Sequence, residues 1–486
     1  MSISVSRILA QPMAMFVIGC ACAQAPFSLD TSFRTIIQHQ YVASAMPLSD
    51  GKVLISGAIR FPGDMSTRAG ARLNPDGSRD ASFPDVVYMG GKITPWLDRV
   101  YAGNGPGLRR VWLNGVTDDS FNMVGAPFFS ALQGGDYHVF PDGRVLMSGA
   151  HNLDYPAGGY DGLYNLIWFT NTGYLDTTRV HRKGNGVVSF FKELPDGKFI
   201  CSGTGTQFEE QPCSNIFQVH ADGSFDSTFQ SDVDRGVARC YLPLADGRVY
   251  AGGNFCRAGS PDDTLRLARF MPDGSLDPAF NPAPFTLGAI PNNGLGGFIF
   301  GLKDWGQGRL LVTGRFQYVD GQLRKGICVL DSTGTLTEEF DGCGVDLFSY
   351  MGNTTYTLYG AKADHDSTHY YIWGGYNGYD DGTTNDTLQR FVTRLYGGDI
   401  TTAFNNVAQP PMFSLFPNPS SGSVTLQLEQ VPHSAQLIVR DALGREVLRQ
   451  RVSDHYTELA LECSGVYLLE LWDGSGRVAT QRVVVE

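Results

Sequence analysis

The chain has 486 residues, a net charge of −12 with 37 Lys plus Arg against 49 Asp plus Glu, and only 18% charged residues. Glycine is abundant at 59 residues and aromatics reach 12%. Phosphate contacts need clustered Lys and Arg, and no such run exists, so a nucleic-acid binder is excluded; so are coiled coils and disordered chains, and the composition is that of a turn-rich β protein.

The N-terminus reads as an export signal over residues 1–23. Arg7 supplies positive charge, an apolar stretch runs through Met13, Met15, Phe16, Val17 and Ile18, and Ala21-Cys22-Ala23 fits small-residue cleavage. The apolar part is too short for a membrane anchor, and Gln11-Pro12 interrupts it. Val17-Ile18-Gly19-Cys20 offers a second cleavage point, in which Cys20 carries lipid. No other stretch approaches 18 apolar residues, so no transmembrane segment is expected after it.

Residues 26–405 are a repeat array. One half-unit recurs as Asp50-Gly51-Lys52-Val53-Leu54-Ile55-Ser56-Gly57, then from Asp142, from Asp196 and from Asp246, with weaker copies near Asp98, Gln307 and Tyr370. The other half is Asn74-Pro75-Asp76-Gly77-Ser78 leading to Asp80 and Phe83. It returns at Asp226 and Phe229, at Asp277 and Phe280, and at Phe340, with degraded copies at Asp118 and Phe121, at Asp176 and at Phe404. An orphan copy, Leu29 to Phe33, precedes the first hairpin. Asp-Gly between apolar runs predicts type I′ hairpin turns, so each unit holds two hairpins or four short strands. Seven units with a mean spacing of about 53 residues match β-propeller blades. An open solenoid of hairpins is the alternative. The orphan piece favours a closed ring, with Leu29–Phe33 beside residues 388–404. The small residues after the apolar strand, Ser56-Gly57, Ser202-Gly203 and Gly252-Gly253, suit crowded packing or close backbone approach there.

These motifs resemble the delta-60 repeat, a β-propeller repeat of mostly secreted or surface proteins. The resemblance implies a fold and no reaction.

Residues 406–412 form a polar, proline-containing linker. Residues 413–486 alternate short apolar strands with Gly and Asp turns and predict a small immunoglobulin-like β-sandwich. The motifs in order are Phe416-Pro417-Asn418-Pro419 with Gly422, the turn from Asp441 to Gly444, the strand from Gly465 through Tyr467, and a basic-then-valine end. This segment resembles the type IX secretion C-terminal sorting domain of Bacteroidetes. The resemblance implies the type IX machinery as partner and a secreted or outer-surface destination after signal-peptide cleavage. An ordinary immunoglobulin-like binding module is the alternative.

Seven cysteines follow the signal. Export to an oxidising compartment allows Cys201–Cys213, Cys240–Cys256 and Cys328–Cys343 as disulfides, with Cys463 free. No catalytic, cofactor or metal-ligand set is read. His365 and His369 fall in a turn, and no nucleophile elbow, HExxH or P-loop motif occurs. The acidic loops at Asp262-Asp263 and Asp380-Asp381 to Asp386 are candidates for Ca²⁺, although such residues are also ordinary turn formers. Tyr155, Tyr160, Tyr164, Trp168, Tyr376 and Tyr379 enrich two long loops and are candidates for stacking on sugars or peptides. The chain is therefore expected to be a non-enzymatic binding or adhesion module for a glycan, peptide or matrix. A hydrolase or lyase with carboxylates in the propeller cleft and a structural envelope protein are the competing readings.

Overall fold

The computed structural model describes residues 27–86, 89–104, 107–123, 129–260, 263–288, 297–350, 353–365, 367–397, 413–417, 420–428, 435–441, 445–461, 463–473 and 476–485. The export signal, Phe404 and the 406–412 linker lie outside the described residues. Regular structure among the described residues is β throughout, apart from one short 3-10 turn, Pro156–Gly158. No helix is long and apolar enough to cross a membrane.

Between residues 39 and 396 the strands form seven main antiparallel sheets: four of three consecutive strands, two with a short strand pair between their second and third strands, and a seventh in which Gly344–Asp346 also pairs with the end of His369–Asp380. The first sheet is His39–Pro47, Val53–Arg60 and Arg68–Leu73. The same order repeats from Ile93–Trp96, Phe129–Val139, Val188–Glu193, Val233–Pro243, Phe298–Asp304 and Thr357–Ala363, the first strands of the later sheets. The predicted fourth strand is reduced to a single bridge in most units, such as Leu73 with Arg79 and Phe270 with Leu276.

The Asp-Gly turns differ from the type I′ expectation. Leu48 O accepts from Gly51 N at 3.1 Å and Leu48 N donates to Lys52 O at 2.8 Å. Gly51 has φ +80°, while Asp50 is not left-handed. This is a type I turn closed by a glycine bulge. Asp50 instead caps its own turn, accepting from Lys52 N.

Seven apolar clusters follow one another, each shared by two adjacent sheets. Met46 and Leu54 of the first sheet meet Ile93 and Val100 of the second. Tyr250 and Leu267 of the fifth meet Ile299 and Val312 of the sixth. The last cluster joins Ile372 and Leu395 of the seventh sheet to Leu311 and Val329 of the sixth. Val42 and Ile55 of the first sheet pack with Tyr371 and Val392 of the seventh, so the series returns to its start. A three-stranded sheet has two apolar faces, and stacking sheets in sequence covers both.

The orphan N-terminal piece closes the series as expected. Leu29 bridges Leu395, Asp30 N donates to Arg394 O at 3.0 Å, and Asp30 pairs with Arg394 at 2.6 Å.

At the C-terminus two antiparallel sheets share one core. Phe413–Phe416, Ser423–Leu428 and Tyr456–Ala460 form one, and Glu446–Arg451, Gln436–Arg440, Gly465–Asp473 and Gly476–Val485 form the other. The predicted alternation holds, with Val424, Leu426 and Leu428 buried against Leu437, Leu469 and Val483.

Candidate functional site in the axial cavity

The repeat signature builds a latch. Asp80 accepts from the Ser82 amide and hydroxyl, at 3.0 and 2.6 Å, and its other oxygen takes Lys52 Nζ and Arg72 Nε, each at 2.8 Å. Asp118 does the same with Ser120 and Arg110, and Asp277 with Arg248 and Arg269. The latch arginine also donates to the next sheet's turn. Arg72 reaches Leu113 O, Arg110 reaches Asn171 O, Arg269 reaches Ser332 O, and Arg394 reaches Pro75 O back in the first sheet. These carboxylates are fully committed to folding. Lys52, the first cause, holds Asp80 well below the usual carboxylate range.

The closing phenylalanines Phe83, Phe229, Phe280 and Phe340 are buried at these turns, as expected. Phe121 was expected to sit in a degraded, tolerant unit. It is instead 1% exposed, edge-on to Tyr101 at 5.1 Å, because Asp118-Asp119-Ser120-Phe121 keeps the latch although its turn is Asn-Gly.

A second recurring feature aims side chains at the axis. In most first strands the pairing register skips a residue: Ala43, Ser189, Arg239, Phe300 and Tyr359 have no partner on the second strand. The residue before each skip lies opposite a glycine: Val42 and Gly57, Val188 and Gly203, Ala238 and Gly253, Ile299 and Gly314, Leu358 and Gly374. A Cβ on any of these glycines would collide with the facing backbone carbonyl, for example Val237 O at Gly253. The small residues of the repeat thus make room for a β-bulge, and a bulge re-aims its extra side chain. That close approach was legible in the sequence. What it aims was not.

Four of these bulged residues, Ala43, Arg239, Phe300 and Tyr359, line a cavity of about 490 Å³ to which all seven sheets contribute. Its walls include Tyr41, Tyr137, Phe190, Phe300 and Tyr359, with Arg239, Lys92 and Asp136 as its charges. The rings form a connected wall, with Tyr41 to Tyr359 at 6.0 Å and Tyr359 to Phe300 at 5.2 Å. Arg239 lies over Phe190 at 4.9 Å and over Phe300 at 4.8 Å. Solvent reaches it through the cavity although protein surrounds it, and this desolvation lowers its pKa from the ordinary guanidinium value. Tyr137 is buried and donates to Lys92 O at 2.8 Å, tying the second and third sheets. Asp136 is the only carboxylate among the described wall residues and pairs with Lys92 at 2.9 Å.

Several sequence candidates lie elsewhere. Tyr164, Trp168, Tyr376 and Tyr379 are buried core residues and not exposed stacking platforms. Tyr160 is half-buried, and the side chain of Tyr155 falls outside the description. The aromatic excess of these loops fills the long strands Val145–Tyr155, Tyr160–Phe169, His369–Asp380 and Asn385–Tyr396.

The expected disulfides are not formed; all seven described cysteines are free thiols. Cys240 lies opposite Gly252 and Cys256 opposite Arg235, several residues apart along one hairpin, which a disulfide cannot span. Cys328 and Cys343 belong to different apolar clusters. Cys201 is buried in the cluster against which Cys213 packs, and burial raises both thiol pKa values, Cys213 to about 11.

In the acidic loop, Asp381 accepts from Thr383 N and hydroxyl and from Leu29 N, and Asp386 pairs with Arg34. These carboxylates cap turns and tie the N-terminal piece to the last sheet. Asp262 lies outside the described residues. His369 contacts Asp364 at 3.0 Å and Asp30 at 3.5 Å. No group of three metal-ligating side chains occurs among the described residues.

In the C-terminal domain Phe416 is exposed, Gly422 O accepts from Leu461 N at 2.7 Å, and Asp441 caps its turn by accepting from Arg445 N. Gly465 pairs with Val485, and buried Tyr467 donates to Cys463 O at 2.8 Å. Asn418, Pro419 and Gly444 lie outside the described residues.

Comparison with known proteins agrees with both resemblances. Residues 48–83, 194–229 and 244–280 match the family described as domain of unknown function (DUF5122) beta-propeller. Residues 414–486 match the secretion system C-terminal sorting domain. The chain therefore carries β-propeller repeats of this family and a type IX sorting domain, and it is a type IX-sorted protein of the cell surface or exterior. No curated protein matches it.

Similar solved structures include PorZ, a surface component of the type IX secretion system of Porphyromonas gingivalis, at 13% identity and TM-score 0.33. Another is the extracellular domain of a hybrid two-component system of B. thetaiotaomicron, at 8% identity and TM-score 0.37. The alignments cover 92% of this chain in both cases, and 65% and 56% of those chains. The chain thus spans less than two thirds of either. At TM-scores of this size neither bears on what it does.

Proposed function

We propose that the chain is a surface-displayed binding module whose seven sheets are the blades of one closed β-propeller. In this reading the immunoglobulin-like C-terminal sandwich serves as its export address, following signal-peptide cleavage. The ligand site is the axial cavity, and the ligand is a glycan or peptide. One observation carries this: all seven sheets contribute to a single cavity with a wall of aromatic rings. Aromatic walls with a few placed polar groups are the usual lining of ligand sites.

The competing hydrolase reading needs two carboxylates flanking a bond. Asp136 stands without a second acid among the described wall residues and is already paired. That arrangement favours binding over hydrolysis. A glycan and peptide array probed with the full chain and with Phe300→Ala tests the proposal. The expected result is a ligand bound by the parent and lost from the variant. Ligands that bind both equally would place the site elsewhere, and turnover abolished by Asp136→Asn would restore the enzyme reading.

A further inference from the structure

The net charge of the chain is −12, yet the axial strands are rich in cations. Lys192, Lys303 and Lys362 occupy the same position, three residues past the bulge, on three different first strands. None forms an ion pair with a described carboxylate, and burial, with Lys303 nearby as the second cause, depresses the charging of Lys362. Arg239, at the bulge of the fifth sheet, likewise has aromatic rings as its partners and no described carboxylate.

Two more guanidiniums gather beside it. Arg315 also lies over Phe300, at 5.7 Å; burial first, and then Arg239 and Arg266, make its charged form less favourable. Arg266 has an Nη1 that is buried and without a hydrogen-bond partner. Everywhere else in the repeats the arginines of the latches are matched to aspartates within 3 Å, as in Arg110–Asp118 at 2.6 Å and Arg269–Asp277 at 2.7 Å. Crowding like charges in a partly desolvated place is costly, and an unsatisfied buried guanidinium more so. Of the three, Arg239 lines the cavity, and a bound anion there would supply the counter-charge that its ring partners do not.

The class of anion follows from the walls. Tyr41, Phe190, Phe300 and Tyr359 offer apolar ring surface beside the cations. Main-chain capture of an extended peptide favours a regular first strand, and these strands are bulged in most sheets. A pyranose ring needs no such edge. It packs its C–H face on aromatic rings while its substituents take polar contacts. The volume, about 490 Å³, falls in the range of small-ligand sites, roughly 300–1,000 Å³.

We propose that the axial cavity binds a carboxylate-bearing saccharide, with the Arg239 guanidinium pairing with the carboxylate and the rings of Tyr41, Phe190 and Phe300 as the apolar wall. This rests on the binding reading above and names its ligand class. A planar guanidinium fits a carboxylate in two parallel hydrogen bonds, which a lysine cannot copy.

Calorimetric titration of the full chain with trigalacturonic acid, its methyl ester and triglutamate tests this. The acid form should bind, more weakly as salt rises, because exposed charge pairs are screened. The ester should bind at least tenfold more weakly, and Arg239→Gln should lose at least tenfold for the acid form, which is about 1.4 kcal/mol. Arg239→Lys, which keeps the charge, should recover only part of that loss. Equal affinity for acid and ester would leave a glycan site standing and overturn the anion assignment. Triglutamate binding in place of the saccharide would overturn the sugar class. Silence of all three probes, or full affinity in Arg239→Gln, would overturn the proposal.

Discussion

The turns between sheets and the strands around the axis treat charge in opposite ways. At the turns, the recurring aspartates are buried and, in most copies, capped by a serine or threonine and clasped by a basic side chain, as in Asp226 with Thr228 and Lys198 at 2.7 Å. At the axis the bulged position is alanine, serine, arginine, phenylalanine and tyrosine in successive bulged sheets, and its arginine has no described acid to pair with. What recurs holds the sheets together. What varies from sheet to sheet faces the cavity. The repeat signature is therefore a folding device, and recognition lies in the residues that the repeat does not specify.

The largest effect that sharpens this contrast is on the turn side. Asp277→Ala leaves Arg269 buried without its carboxylate and should cost about 3–5 kcal/mol. Phe280→Ala and Phe121→Ala should each cost about 3–5 kcal/mol by emptying a core site. Urea unfolding measures all three. A Phe121→Ala that unfolds like the parent would return the second sheet to the tolerant class.

Next comes the glycine facing the bulge. Gly253→Ala drives a methyl against Val237 O and should cost about 1–3 kcal/mol, with a shifted Arg239 and weakened ligand binding. A variant of full stability and full affinity would mean that the bulge does not need the glycine.

The acid limb of stability should report the latches. Burial of Asp226 opposes ionisation, but hydrogen bonds from Lys198 and Thr228 outweigh it and hold the pKa at about 2. The unfolded carboxyl titrates near about 3.9. Its contribution is thus complete above roughly pH 5 and is lost as pH falls through 2. Thermal melts between these limits should show Lys198→Met with a shallower acid loss than the parent. An identical slope would remove the latch from the account.

The smallest expected effect on stability is at the axis. Arg239→Gln loses its contacts over Phe190 and Phe300 but also removes a charge crowded by Arg315, so unfolding free energy should change by no more than about 1 kcal/mol while binding falls. A large loss of stability there would erase the distinction between the two regions.

Much of the architecture was legible in the residues. The Asp-Gly turns, the Asp-x-Ser-Phe brackets and the alternating strands of the C-terminal domain are local patterns, set by turn φ angles and period-2 burial. The contact of the orphan Leu29–Phe33 piece with the last sheet could be read as well, and Leu29 bridges Leu395. The aromatic loops misled for a physical reason. Tyr376 and Trp168 lie in strands long enough to pack between sheets, and length along the chain says nothing about which face is covered.

The cysteine pairs misled in the same way. Proximity in sequence did not bring Cys240 and Cys256 opposite each other, because strand register places them at different rungs of one hairpin. Sequence by itself determined the repeat, its turns and its export domain, all of which rest on contacts within one unit. The cavity was decided only by tertiary structure. Arg239, Phe300 and Tyr359 are far apart along the chain, and no local pattern marks them, since each owes its direction to a skipped register and its neighbours to the packing of sheet on sheet.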